Sequence, residues 1–542
     1  MASNKLVAVA LDFGTSSSGY AFSFLHDKES ISHSRWTGKD FTSIKAPTSI
    51  LFTPEKIFNS FGFDAEDKYA ELSMNQNDKD WYLFKHFKLV LVLEKKLYRE
   101  TEIKDVGGKK MTAMDVFSAG IKFLKDDFSK HCCDRLLFLD DTDIQWVLTV
   151  PAIWDDAAKQ FMRLAANKAG IPDECLMLVL EPDAAAMAVS ITSLCQEGEK
   201  CMILDCGGGT IDVSIMKKNS KGSMDSIYRP TGGVWGGIRV DDAFQEYLFT
   251  HFGKDNFQCM EKHEILQVQR KFESAKKKAQ KQDKSIVRIR LPLKLRTDID
   301  LLPIKKCVDR DMLILSVDQV VEFFQKPVSS IVSHLQEIMQ EPEMYGLMYI
   351  IMVGGFSESE ILQSAVQNNF PDINVFVADD PGSAVLSGAV GLGHNPKSIE
   401  SRLSAYTYGI KTLTNFVSGY HELTKLEIID GERNCRDYFD KFIEVNEIIK
   451  INQTSKKKTY CPSHYGQRGC RLAVYQSNHR DPCYVTDPGC KQIGYIDVKM
   501  PDLTGEKERK VEVTISFGQT ELCVEAVDKT TGRKYIATFD FL

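Results

Sequence analysis

A chain of 542 residues is too long for one hydrophobic core and predicts two to four domains or subdomains; its 43% hydrophobic share is that of an ordinary globular protein. A formal net charge of −7 argues against a general nucleic-acid binder, and no apolar run reaches the roughly 18 residues that a membrane span requires. The start, Met1-Ala2-Ser3-Asn4-Lys5, runs into a strand without the apolar segment of a secretory signal, and Cys201 and Cys206 suit reduced, buried thiols; the expected setting is cytoplasmic, with the nucleus as a second compartment.

The first predicted element is a hairpin over residues 5–26 that turns at Gly14 to Ser18. A mixed stretch with the aromatic cluster Trp81-Tyr82-Leu83-Phe84 follows, then helical spacing from Met114 to Phe128. Gln145 to Val150 reads as a buried strand stopped by Pro151, which cannot donate to a ladder. Asp155 to Ala169 reads as a helix, with Asp155 as its cap and Gly170 closing it, and another alanine-rich helix runs from Glu181 through Ser190. A second hairpin, Cys201 to Met216, precedes the loop Gly232-Gly233-Val234-Trp235-Gly236-Gly237. His263 to Gln282 carries an apolar stripe of Ile265, Val268, Phe272, Ala275 and Ala279, with Glu273, Lys276 and Gln280 on a polar face. The strand Tyr349 to Val353 breaks at Gly354-Gly355, and a helix is expected near Ser357 with Glu360 completing a capping box. Ala384 to Leu392 reads as a small-residue helix. The predicted domains are 1–395, a linker over 396–405, and a β-rich module over 406–542 built on alternating runs such as Lys510 to Phe517 and Tyr535 to Phe539.

The two hairpins carry the same chemistry. Each has an apolar run, an aspartate, and a glycine turn with a threonine: Asp12-Phe13-Gly14-Thr15-Ser16 and Asp205-Cys206-Gly207-Gly208-Gly209-Thr210. Glycine turns let backbone N–H groups approach phosphates closely, and Asp12 and Asp205 at the ends of buried strands are costly without a cation. Magnesium uses few protein ligands and keeps several waters, so both carboxylates are candidate metal residues acting through water. Asp212 can join that shell, and Thr15 and Thr210 can bind phosphate oxygens or an attacking water. One Asp-x-Gly-Thr alone is a tight turn; the pairing favours a nucleotide site. Glu181 reads either as a helix cap or as a carboxylate that orients metal and water. Gly354-Gly355 is either a strand-to-helix turn or a rest for a nucleoside, and Lys276-Lys277-Lys278 is either a solvated face or, beside Glu273, a ribose or adenine contact. Cys461, Cys470, Cys483 and Cys490, with His464 and His479, do not fit a Cys-x-x-Cys knuckle, so loop cysteines are expected there rather than zinc ligands.

These segments occur in order with Thr149-Val150-Pro151-Ala152, Glu181-Pro182-Asp183-Ala184-Ala185-Ala186 and Val353-Gly354-Gly355-Phe356-Ser357. The set resembles the 70-kilodalton heat-shock protein family, most closely its divergent 12A/12B-like branch, over about residues 5 to 394. The resemblance implies an α/β, two-lobed actin-like ATPase fold with duplicated ribonuclease-H-like lobes, ATP or ADP and Mg²⁺ in the cleft, and a smaller β-rich C-terminal module. It places Asp12, Thr15, Asp205, Gly207, Gly208, Gly209 and Thr210 at phosphate and metal positions, with Gly14 and Ser16 in the first turn. Glu181 and Asp212 match positions that organise metal and water. Gly237 and Gly355, with Gly236, Gly354 and Ser357 beside them, match nucleoside contacts, and Glu273, Lys276 and Lys277 match the adenosine-contacting helix. Lys277 stands where the family has a stacking Arg, and Gly382 where it has an Asp. The catalytic lysine is best matched by Lys88, then by Lys85. The polar stretch from Ser398 to Ala405 differs from the family's apolar, acidic linker, and the tail leaves little room for a helical lid.

The implied function is an ATP-binding, weakly hydrolysing chaperone-like protein whose partners are client polypeptides or signalling proteins. The alternatives are a nucleotide-gated scaffold without hydrolysis, and a small-molecule kinase of the same fold.

Overall fold

Val7–Phe13 (β1) is buried along its length, as befits a central strand covered on both faces, and Ser17–Phe24 (β2) returns antiparallel to it with Asp12 opposite Gly19. The computed structural model describes residues 5–38, 42–189, 194–253, 262–279, 286–291, 307–450, 454–518, 520–539 and 541–542. The chain forms two units, one of Met1–Ser220 with Pro230–Pro396, the other of Lys221–Arg229 with Lys397–Leu542.

The first unit is built on a duplicated pattern. In the first lobe, Asp27–His33 (β3) extends the hairpin on the β2 side, while Ile144–Val150 (β4) lies parallel to β1 and Leu176–Leu180 (β5) parallel to β4. In the second lobe, Lys200–Cys206 (β6) and Ile211–Lys218 (β7) form the antiparallel hairpin, Leu347–Val353 (β8) lies parallel to β6, and Asn374–Val377 (β9) lies parallel to β8. Each lobe thus starts with an acidic hairpin and adds two parallel strands beside the hairpin's first strand. This is the α/β, two-lobed actin-like arrangement that the resemblance implies.

The helices follow local signals. Gly62–Met74 (α1) packs through Ala65 and Tyr69 against Leu51, Leu83 and Leu266. Ala113–Cys133 (α2), capped by Thr112, runs past the expected end at Phe128 because Cys132 continues its buried stripe. Asp155 caps Asp156–Lys168 (α3) by accepting the Ala158 N–H at 2.9 Å. Glu181–Ala188 (α4) starts directly after β5. Ile238–Phe252 (α5), Lys262–Lys278 (α6) and Val317–Ile338 (α7) belong to the second lobe. The expected continuation of α6 through Gln280 to Gln282 lies outside the described residues, as does Ser190 at the expected end of α4.

One helix start differs from expectation. Gly355–Glu358 forms a 3-10 turn, Glu360–Asn369 (α8) begins two residues later, and Ser359 makes no side-chain cap bond, so the capping box at Ser357 is absent. The Ser357 hydroxyl is instead drawn inward to the carbonyl of Val353. Ala384–His394 (α9) closes the unit.

Among its described residues the second unit is built of β-strands, with short 3-10 turns at Leu423–Lys425 and Glu506–Glu508. Thr407–Asn415 (β10), Glu432–Ile443 (β11), Gly469–Ser477 (β12) and Cys490–Lys499 (β13) form one antiparallel sheet. Val511–Gly518 (β14) and Glu521–Asp528 (β15) anchor another. Their apolar alternation feeds one core: Ile410, Val474 and Ile496 from the first sheet meet Val513, Ile515 and Val524 from the second. The run from Tyr535 to Phe539 splits, Lys534–Ile536 pairing with β15 and Thr538–Phe539 with β13. Within residues 396–405, expected to be a linker, Ile399–Leu403 is a strand that pairs with Met224–Ser226 and Ile448–Lys450. Backbone pairing needs no apolar side chain, and the polar Ser401 contributes a 2.5 Å bond to Asp225. Cys470 and Cys490 stand in strands rather than loops. No helix among the described residues is long and apolar enough to cross a membrane.

Candidate functional site

The two glycine turns meet. A methyl group on Gly208 would overlap the Ser16 hydroxyl, and one on Gly209 would stand 2.5 Å from Thr15 Oγ1, so only glycine allows this approach. The N–H groups of Gly237, Ile238 and Gly236 donate to the carbonyls of Gly207 (3.2 Å), Gly208 (2.9 Å) and Gly209 (3.2 Å). The start of α5 therefore occupies the acceptors of the second turn; the Gly207 N–H is spent on the Thr210 carbonyl at 3.0 Å, and what the rest of the turn retains for a ligand is donor character. In the first turn, Thr48 Oγ1 donates to the Gly14 carbonyl at 2.8 Å and the Thr48 N–H to the Ser16 carbonyl at 2.9 Å, with the same consequence.

Beneath the turns lies a buried cluster of four carboxyls and two ammonium groups: Asp12, Glu181, Asp205 and Asp212 with Lys45 and Lys88. Lys45 Nζ donates to Asp12 Oδ2 at 2.5 Å, and Thr149 Oγ1 to Asp12 Oδ1 at 3.2 Å. Lys88 Nζ donates to Glu181 Oε1 at 3.1 Å and stands 4.9 Å over the Trp154 ring. Asp205 and Asp212 are register partners across the second hairpin, and the Ile153 N–H donates to Asp212 Oδ1 at 2.9 Å.

Burial opposes the charge on Asp12, but Lys45 and then Lys88 outweigh it and hold the carboxyl below its usual range. Asp205 is pushed well above that range by burial first and then by Glu181, Asp212 and Asp12. Burial and Glu181 raise Asp212 to about 7 against the pull of the Ile153 N–H, and burial raises Glu181 against Lys88. Four carboxylates against two ammonium groups leave two negative charges without a partner. Either protons or a divalent cation must balance them.

This all-oxygen, acid-rich set suits magnesium. Among the described residues no three potential ligands converge to hold a metal directly. The fit is therefore to an ion held through water and phosphate oxygens, with Asp12 and Asp205 nearest in kind to that task.

The remaining candidates frame this cluster. Gly354 has φ +82° and lies so close to Asp205 Oδ1 that a side chain there would overlap it, whereas a methyl on Gly355 would meet open space. Ser357 is fully buried, its hydroxyl donating to Val353 O at 2.6 Å, so its side chain shapes the turn. On α6, Glu273 is exposed, Lys276 pairs with Asp241 and approaches the Gly237 carbonyl at 3.4 Å, and Lys277 lies 3.8 Å from Glu358. Lys85, the second candidate lysine, is directed to Glu66 at 2.9 Å; Lys88 is the one that meets Glu181.

Three neighbours escaped the sequence reading. Lys45 is a lone cation between apolar residues in Ile44-Lys45-Ala46, and a lysine placed to be buried needs a partner; that was its only signal. Trp154 follows the Thr-Val-Pro-Ala segment closely and caps Lys88. Glu358 places its Oε1 3.0 Å from where a methyl on Gly382 would be, bringing a carboxylate to a position that has none of its own.

Residues 79–394 match the family model described as Hsp70 protein. The chain is 31% identical to Heat shock 70 kDa protein 12A of Homo sapiens, over 99% of this chain and 92% of that protein. It is 32% identical to Heat shock 70 kDa protein 12B of Homo sapiens, over 99% and 91%. Chaperone protein DnaK of Thermosipho africanus is 25% identical over 88% of this chain and 71% of its own length.

Proposed function

The chain belongs to the Hsp70 family, and on that premise we propose that it is an ATP-binding, weakly hydrolysing chaperone-like protein that acts on client polypeptides or signalling proteins. The observation that carries this reading is the contact of the two glycine turns over a buried excess of acid. The turns Gly14–Ser16 and Gly207–Thr210 hold phosphate oxygens through backbone donors. Magnesium, when bound, neutralises the phosphate charge beside Asp12 and Asp205. Lys88, fixed by Glu181 and Trp154, donates to a terminal phosphate oxygen or to the attacking water. Asp212, raised to about 7, is poised to accept a proton from that water near neutral pH. Gly236, Gly237, Gly354 and Gly355 give the nucleoside a backbone surface, and Glu273, Lys276, Lys277 and Glu358 supply its polar contacts.

Phosphate release and ATP binding, measured in parallel on the wild type and Glu181→Gln, test this. Slow release that the variant loses while retaining ATP supports the reading; no binding by the wild type overturns it. Lys277 and Gly382, which lack the stacking plane and acid expected beside adenine, favour a second reading, a nucleotide-gated scaffold. Binding without phosphate release in the wild type would select the scaffold.

A further inference from the structure

Lys45 belongs to none of the motifs that define the site, yet its ammonium is at its centre. The segment that carries it is held on every side. Ala46 and Pro47 pair with Ser18 and Ser17 of β2, the Ile44 carbonyl accepts from Ser34 Oγ at 2.8 Å, and the Lys45 N–H donates to Ser43 Oγ at 3.3 Å. Gly19 of β2 lies beneath its stem, and a methyl there would stand 3.1 Å from Lys45 Cγ and 2.7 Å from Ile44 O. The stem thus passes through a slot that a larger residue would close, and its ammonium reaches Asp12 Oδ2 at 2.5 Å with only 16% of the side chain exposed. The other buried ammonium of the cluster, Lys88, pairs with Glu181 in the same way.

We propose that Lys45 is a tethered cation of the phosphate site, supplying from within the chain part of the positive charge that a polyphosphate would otherwise draw wholly from a divalent ion. The inference rests on the nucleotide reading above and adds that the site retains ATP when magnesium is removed. A plain structural ion pair would hold the turn equally well but would leave the metal dependence of binding unmoved. The ammonium lies against the carboxylate expected to face the metal, so it lessens the repulsion between Asp12 and phosphate whether or not magnesium is present.

The test is calorimetric titration of the full chain with ATP, in magnesium and in excess chelator, for the wild type, Lys45→Gln and Lys45→Arg. The wild type is expected to weaken by less than about tenfold on chelation, and Lys45→Gln by more than about a hundredfold. Lys45→Arg, which keeps the charge, is expected to follow the wild type. Equal ratios for wild type and Lys45→Gln overturn the proposal, as does a wild type that weakens more than a hundredfold. If Lys45→Gln does not fold, the wild-type and Lys45→Arg ratios decide. A wild type that binds no ATP even with magnesium would instead remove the nucleotide reading itself.

Discussion

Lys88 and Glu181 form a buried ion pair at 3.1 Å, with the ring of Trp154 4.9 Å below the ammonium. The two residues are 93 positions apart in the chain and come from different elements, so the pair exists only once the first lobe has folded. Removing one partner of a buried pair leaves the other charge uncompensated. In Lys88→Met that charge is on Glu181, which burial already pushes toward the protonated form and which therefore takes up a proton. Phosphate release by Lys88→Met is expected to fall about a hundredfold or more, with ATP affinity changed less than about tenfold and stability lowered by about 3 kcal/mol or less. Single-turnover assays, ATP titration and urea unfolding read the three in turn. An undiminished rate would exclude Lys88 from the chemistry.

Gly208 against Ser16 is the tightest point between the two turns. Gly208→Ala is expected to wedge them apart and weaken ATP binding by more than about tenfold. Ser16→Gly in the same chain removes the obstructing hydroxyl and is expected to restore part of the loss. A double-mutant cycle in which the two changes simply add would show that the turns do not meet in the binding-competent form.

Asp212 gives the nucleotide-free chain a definite pH dependence. Folded, it keeps its proton up to about 7; unfolded, it releases it in the ordinary aspartate range. The folded state binds more protons between these limits, so unfolding free energy falls as pH rises through them. Asp205 shifts in the same direction. Glu66, held down to about 2 by Lys85 and Arg270 against burial, contributes stability that is lost as pH falls through the ordinary glutamate range toward about 2. Asp212→Asn is expected to remove up to about 1.4 kcal/mol per pH unit of that fall, measured as urea midpoints at about pH 5 and about pH 7. An unchanged slope would mean that Asp212 does not carry the proton.

Arg270 ties α6 of the second lobe to α1 of the first. Its Nε donates to Glu66 Oε2 at 2.8 Å and its Nη1 to Asp67 Oδ1 at 2.6 Å. Truncating one partner of such a pair acts mainly on dissociation rates. Arg270→Ala is expected to speed nucleotide release by about tenfold, read by stopped-flow displacement of a fluorescent nucleotide. No change in rate would show that this bridge does not restrain opening.

The hairpins, the stop at Pro151 and the cap at Asp155 were legible because each depends on residues within a few positions of it. The duplicated turns pointed to a shared site for the same reason, since the signal repeats along the chain. Lys45 and Trp154 were not legible: their roles depend on distant partners, Asp12 and Lys88, that only the folded sheet brings near. The start of α8 was misplaced because Ser357 offers a good cap in isolation, but in the fold its hydroxyl is used by Val353. The strand Ile399–Leu403 was not legible because polar composition says little about backbone pairing, which is what holds it.

Whether the two acidic hairpins make one nucleotide site is decided by titrating ATP, with magnesium, into the wild-type chain and Asp205→Ala in a calorimeter. A wild type that binds and a variant weakened by more than about tenfold is the expected result. Equal ATP affinity in the two proteins would show that Asp205, and with it the second hairpin, takes no part in holding the nucleotide.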